Sequence, residues 1–217
     1  MTPTSGGSAD SAAPPADYRL LLPEGWFRVR IDPVGRERSV EALVDREFAG
    51  VDNAPHIKRQ LRDELLAQAA AAFDGGGIEL YLSLQQAGTL TIPASLLITL
   101  LPPPSGGTLP GVADFANDLA GEADAEVSIR ELSAGPALRV RRATGQPDRQ
   151  MPAGVPGSTD EVLPSITLDY QLPVPGTGAH LLLTFSTPLV RIADAMTELF
   201  DAVAGSLTWI SEEASHE

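Results

Sequence analysis

SITLDYQLPVPGTGAHLLLTFSTPLVRIADAMTELFDAVAGSLTWI (165–210) decides the fold. Its first half reads as two strands, 165–175 and 179–186, folded back on each other through Gly176-Thr177-Gly178. Its second half reads as an amphipathic helix. Ser186 or Thr187 is placed to cap the amino end and Pro188 suits the first turn. Leu189, Ile192, Met196, Leu199, Phe200 and Val203 then share one apolar face. Burying six such side chains at about 1.5–3 kcal/mol each is worth roughly 10 kcal/mol, comparable with the backbone entropy of ordering the helix. This helix therefore forms only when docked. Gly205 ends it, and SLTWI (206–210) adds a short terminal strand.

Working outward, the same strand signals recur in pairs. EVSIREL (126–132) and ALRVRR (137–142) form a hairpin in which Val127, Ile129, Leu138 and Val140 point inward and Arg130, Arg139 and Arg141 outward. IELYLSLQQ (78–86) and TIPASLLITLL (91–101) form another, and the unbroken apolar character of ASLLITLL predicts burial on both faces, hence layers above and below the sheet. Near the amino end, YRLLL (18–22) and WFRVRI (26–31) flank the turn Pro23-Glu24-Gly25, with Phe27, Val29 and Ile31 opposite Trp26, Arg28 and Arg30. Helical periodicity covers 36–48, 55–73 and 112–122. In the longest of these Ile57, Leu61, Leu65, Ala69 and Phe73 make one stripe, and Asp74-Gly75-Gly76-Gly77 stops it. The fold class is α+β: an antiparallel sheet of about six to eight strands between helical layers. One domain over 17–211 is expected, with disordered tails at 1–16 and 212–217 and a long Gly/Pro-rich loop over 143–164.

Composition removes several functions. The 217 residues carry 29 acidic against 15 basic groups, a formal charge of −14, which opposes nucleic acid and anionic lipid at long range. The absence of cysteine excludes disulfides, thiolate catalysis and Cys-ligated metals. No apolar run reaches the ~20 residues of a membrane-spanning helix, and the first residues lack the pattern of a secretory signal. A cytoplasmic location is expected. Basic charge is almost wholly arginine, with Lys58 the only lysine, and Ala, Gly and Pro are abundant, as in proteins of GC-rich bacterial genomes.

Two segments, YRLLLPEGWFRVRI (18–31) and TFSTPLVRIADAMTELFDAVAGSLTW (184–209), together resemble the PsbP-like fold family. That family includes photosystem PsbP, Mog-type nuclear import factors and the LpqN-like actinobacterial branch. The first is a strand, Pro-x-Gly-Trp turn and strand; the second is a strand running through Ser-Thr-Pro into an amphipathic helix ending in Ser-Leu-x-Trp. They cover about a fifth of the chain. The resemblance implies an antiparallel sheet between helical layers and a role in binding or assembly; it implies no catalytic residue. Unlike the lipoprotein members, this chain has no lipid-attachment cysteine.

No catalytic, cofactor or metal-binding residue is expected. His56, His180 and His216 belong to no spaced ligand pair and read as ordinary exposed or capping histidines. Asp114, Asp118 and Glu122 read as a solvated acidic face, and Gly75–Gly77 as helix punctuation. Two surfaces remain as partner-binding candidates. Arg130, Arg139 and Arg141, with Arg142 and Arg149 nearby, concentrate positive charge suited to an acidic protein segment; the alternative is cross-strand pairing with Glu126 or Glu131. Trp26 with Arg28 and Arg30 offers an aromatic beside two guanidinium groups; the alternative is a tryptophan lying under a covering helix. The expected function is a non-enzymatic protein-interaction module, adaptor or chaperone-like, with another protein as partner. A small-molecule-binding protein with a pocket between sheet and helices is the alternative.

Overall fold

In the computed structural model, which describes residues 15, 17–50, 55–87, 90–105, 107–122, 124–144 and 164–211, three hairpins build most of one sheet. They are β3 (Gly77–Ala87) with β4 (Leu90–Leu101), β5 (Ala125–Leu132) with β6 (Gly135–Thr144), and β7 (Ser165–Pro173) with β8 (His180–Thr187). With β2 (Trp26–Val29) they form seven strands in the order β2-β3-β4-β8-β7-β6-β5, every neighbour antiparallel. The sheet order explains the central apolar runs. β4 and β8, separated in sequence by α3 (Val112–Leu119), the β5–β6 hairpin and β7, lie side by side in the middle, where one face is buried and the other half-buried.

Alternation along β7 and β8 sends Ile166, Leu168, Tyr170, Leu172, Leu181, Leu183 and Phe185 to one face. There they meet Met196, Phe200, Val203 and Ala204 of α4 (Ala193–Gly205), and Phe200 stacks on Phe185 with ring centroids 4.8 Å apart. On the opposite face α1 (Arg36–Glu47) and α2 (Pro55–Asp74) bury Val40, Leu43, Val44, Leu65 and Ala69 against Val29, Leu80 and Leu82 of β2 and β3. α3 packs on that same face at the other end, over β5, β6 and β7. The chain ends are clasped together: β1 (Asp17–Arg19) pairs with β9 (Thr208–Ile210), Tyr18 opposite Trp209, and the Trp209 indole N–H donates to the Ala134 carbonyl at 2.9 Å.

Three local expectations are corrected. The strand at 18–22 shrinks to β1, which pairs outside the main sheet. The helix expected from Pro188 starts at Ala193, after a single 3₁₀ turn, Val190–Ile192. Thr187 explains the delay, because its hydroxyl donates to the Pro93 carbonyl at 2.8 Å and accepts the Leu189 N–H at 3.3 Å, so it anchors the turn to β4 instead of capping the helix. The α2 stripe is buried only in its middle: Ile57 and Phe73 are 49% and 41% exposed. The tails and most of the 143–164 loop lie outside the described residues. No helix among the described residues is long and apolar enough to cross a membrane.

Candidate functional site: a recess at the β2 edge

The arginine hairpin is not one solvent-facing patch. Both faces of β6 are covered, so Arg139, expected outward, is 3% exposed. It lies beneath α4, where Nε donates to Asp201 Oδ1 at 2.8 Å and Nη2 to Oδ2 at 3.3 Å, and the Tyr170 hydroxyl donates to the same carboxylate. Burial pulls the Arg139 pKa down, but the Asp201 and Tyr170 hydrogen bonds outweigh it and the net direction is up. Burial and then Asp201 push the Tyr170 hydroxyl well above the usual range. Arg141 shares the face but is spent on Glu126 and Asp194, each at 3.3 Å, the first being its direct cross-strand neighbour. Arg142 faces the other way and binds Glu122 at 3.1 Å and Asp169 at 3.2 Å. Arg130 alone of the three candidates is exposed and, among the described residues, has no carboxylate partner. Ile129, expected inward, is 47% exposed because β5 is the outermost strand.

The second candidate fares differently. β2 pairs with β3 only as far as Val29 opposite Leu80, and beyond that point the two strands diverge. The gap is a recess of about 340 Å³ lined by Arg28, Val29, Arg30, Ile31, Asp32, Phe73, Gly77 and Ile78. Gly77 is required there: a Cβ would stand 2.6 Å from the Ala72 carbonyl oxygen and 2.8 Å from Leu97 Cδ1, so the end of α2 touches the sheet only because this residue has no side chain. Register at Gly77 and Glu79 slips by a bulge, which turns Ile78 out, 44% exposed. Arg28 and Arg30 have side chains 62% and 66% exposed; Arg28 pairs with Glu79, and Arg30 with Asp32 at 3.1 Å. Arg36 adds a third guanidinium 6.0 Å from the Phe73 ring.

Trp26 does not join them. It is half-buried against the α4-side core, so the aromatic beside the arginines is Phe73. Glu79 is held from three sides, by Arg28 and by the hydroxyls of Tyr18 at 2.5 Å and Tyr81 at 3.1 Å. Burial, then the Glu79 charge, pushes Tyr81 up to about 12, and burial with the Glu79 hydrogen bond pushes Tyr18 higher. Both tyrosines are therefore fixed donors, and Glu79 holds Arg28 beside the recess.

A third feature escaped the sequence reading. The register sets Ser95, Ser186, Thr167 and Arg142 in one row across four strands, with Leu97, Thr184, Asp169 and Val140 in the next. This half-buried polar strip lies on the sheet face that carries α2 at one end and α3 at the other. Burial raises the Asp169 pKa, opposed by the Thr184 hydrogen bond and Arg142. At the strip's end His180, expected exposed or capping, is 3% exposed, edge-on to Phe115 with centroids 5.9 Å apart and 3.0 Å from Gln171 Nε2 through Nδ1; burial lowers its pKa. The signal was Thr167, Asp169 and Gln171 alternating with apolar residues in β7. His56 is exposed at the start of α2, and His216 is outside the described residues.

Fold and surfaces together define an α+β protein whose antiparallel sheet carries helices on both faces and a cationic, partly apolar recess at one edge. No protein-family model matches the chain, and no curated protein matches its sequence. Among solved structures it is similar to LpqN, described as involved in cell envelope biogenesis of Mycobacterium tuberculosis. That likeness has 10% identity and a TM-score of 0.43, covering 90% of this chain and 85% of that one. It is also similar to cyanobacterial PsbP (CyanoP) from Synechocystis sp. PCC 6803, with 16% identity and a TM-score of 0.32 over 95% and 98%.

Proposed function

We propose that the chain is a non-enzymatic protein-interaction module that takes an acidic, partly apolar segment of another protein into the β2–β3 recess. The observation that carries this reading is the coincidence, in one open recess, of two guanidinium groups more than half exposed with the exposed side chains Phe73 and Ile78. On a chain of charge −14, an acidic partner needs such a local positive spot. Arginine grips a carboxylate with two parallel hydrogen bonds, and the apolar wall rewards a neighbouring hydrophobic side chain. The recess is too open to hold a small molecule on most sides, which favours a segment over a compact ligand. A display library of short peptides should yield binders enriched in Asp or Glu next to Leu, Phe or Trp. Arg28→Glu/Arg30→Glu should weaken those binders at least roughly tenfold. Equal binding by the double variant would remove the recess from the account.

The polar strip supports a second reading, a small polar ligand held on the sheet between α2 and α3, with the Ser95–Ser186–Thr167–Arg142 row as its floor. Thr184→Val would then lower ligand-induced thermal stabilisation and leave peptide binding at the recess unchanged.

A further inference from the structure

We infer that the free edge of β5 is a self-association surface, on which a second copy of this chain pairs antiparallel with Ser128 opposite Ser128. β5 is the last strand of the sheet, and among the described residues nothing pairs with its outer edge. Its backbone polarity follows from its neighbour. Glu131 stands opposite Pro136, which has no N–H, so that pair is not hydrogen-bonded; alternation then gives the even-numbered residues of β5 to β6 and turns the N–H and C=O groups of Val127, Ile129 and Glu131 outward.

Three features of the strand centre are unspent. Among the described residues Arg130 is exposed without a carboxylate partner, Ile129 is 47% exposed, and the Ser128 hydroxyl oxygen is buried with no hydrogen-bond partner. The register centred on Ser128 uses all three. It sets Arg130 of each copy opposite Glu126 of the other, twice by symmetry, and Ile129 opposite Val127, and it brings the two Ser128 hydroxyls within reach of each other. Glu126 has room for this contact, because it is 63% exposed while it holds Arg141 at 3.3 Å. Sliding to the register centred on Ile129 sets Arg130 opposite Ser128 and Glu126 opposite Leu132, losing both ion pairs. A flat edge strand is a template for pairing, and here the charges that would guard it against chance partners complement a second copy. The net charge of −14 on each copy opposes association at long range, so these local pairs decide it.

Sedimentation equilibrium of the full chain, up to submillimolar concentration at physiological salt, tests the inference. A reversible monomer–dimer equilibrium is expected. Arg130→Glu should weaken it roughly tenfold or more, since two attractive pairs become repulsive, and Glu126→Arg/Arg130→Glu in one chain should restore it. Ile129→Pro removes an outward N–H that no strand among the described residues uses; an edge position tolerates it, and the dimer should be lost while the circular dichroism spectrum is kept. A chain monomeric throughout overturns the inference. So does a dimer indifferent to Arg130→Glu and Ile129→Pro, or failure of the folded charge-swapped variant to recover.

Discussion

Arg139 shows how much one side chain's surroundings decide. It looks like a surface charge in sequence, yet it ties β6 to α4 through Asp201 and Tyr170 from a position 3% exposed. Removing one partner of a buried ion pair costs about 3–5 kcal/mol, and Asp201 keeps some access to water, so Arg139→Ala should cost about 3 kcal/mol in urea unfolding. A loss well under 1 kcal/mol, as for an exposed pair, would contradict this burial. Changing Arg139 to Glu would set a second carboxylate against Asp201 and destabilise more, so the hairpin arginines are unsuitable as a set for probing binding. Asp169 carries a pH signature. Burial raises its folded pKa above the unfolded value, so its contribution is most favourable below the unfolded carboxylate range and is lost as pH rises through the folded value. Asp169→Asn should therefore raise the melting temperature at pH 7 and have less effect near pH 3. A loss at pH 7 would mean that the Arg142 pair outweighs burial.

The elements were legible to the extent that one face of each was wet or dry on local grounds. The three hairpins, α1 and α2 stand within a residue or two of where periodicity and turn residues place them, because alternation and Gly/Pro punctuation are local signals. What was not legible depends on contacts made far along the chain. β6 alternates cleanly, but α3 covers one face, and on the other Asp201 of α4, 62 residues further on, holds Arg139, so alternation could not tell an arginine in water from one beneath a helix. Phe73 closed an apolar stripe in sequence, yet it stands 41% exposed at the last turn of α2, and its ring becomes a wall of the recess. The apolar face of α4 was readable despite its late start, since Met196, Phe200 and Val203 are buried as that face requires. Phe200 is fully buried and stacked on Phe185, and Phe200→Ala should cost about 3–5 kcal/mol. Thermal unfolding gives the check; a melting temperature within a degree or two of wild type would place that ring outside the core.

At the scale of the whole molecule the charge distribution organises the account. Several guanidinium groups are engaged by nearby carboxylates: Arg139 by Asp201, Arg141 by Glu126 and Asp194, Arg142 by Glu122 and Asp169, Arg62 by Glu41 at 3.4 Å. The β2 edge is where paired arginines remain largely open to water and lie against exposed apolar side chains. The sequence named Arg28 and Arg30, since strand alternation set them on the face opposite Val29 and Ile31. It could not supply Phe73 or Ile78, because which helix end meets the β2 edge and where the β3 register slips are settled between elements and not within one. The most direct measurement is a backbone NMR titration of the full chain with an acidic, partly apolar peptide selected by display. Shift changes concentrated at 28–32, 73 and 77–78, abolished in Arg28→Glu/Arg30→Glu, are the predicted result; changes centred on the 167–186 strip or on β5, with those residues silent, would contradict it.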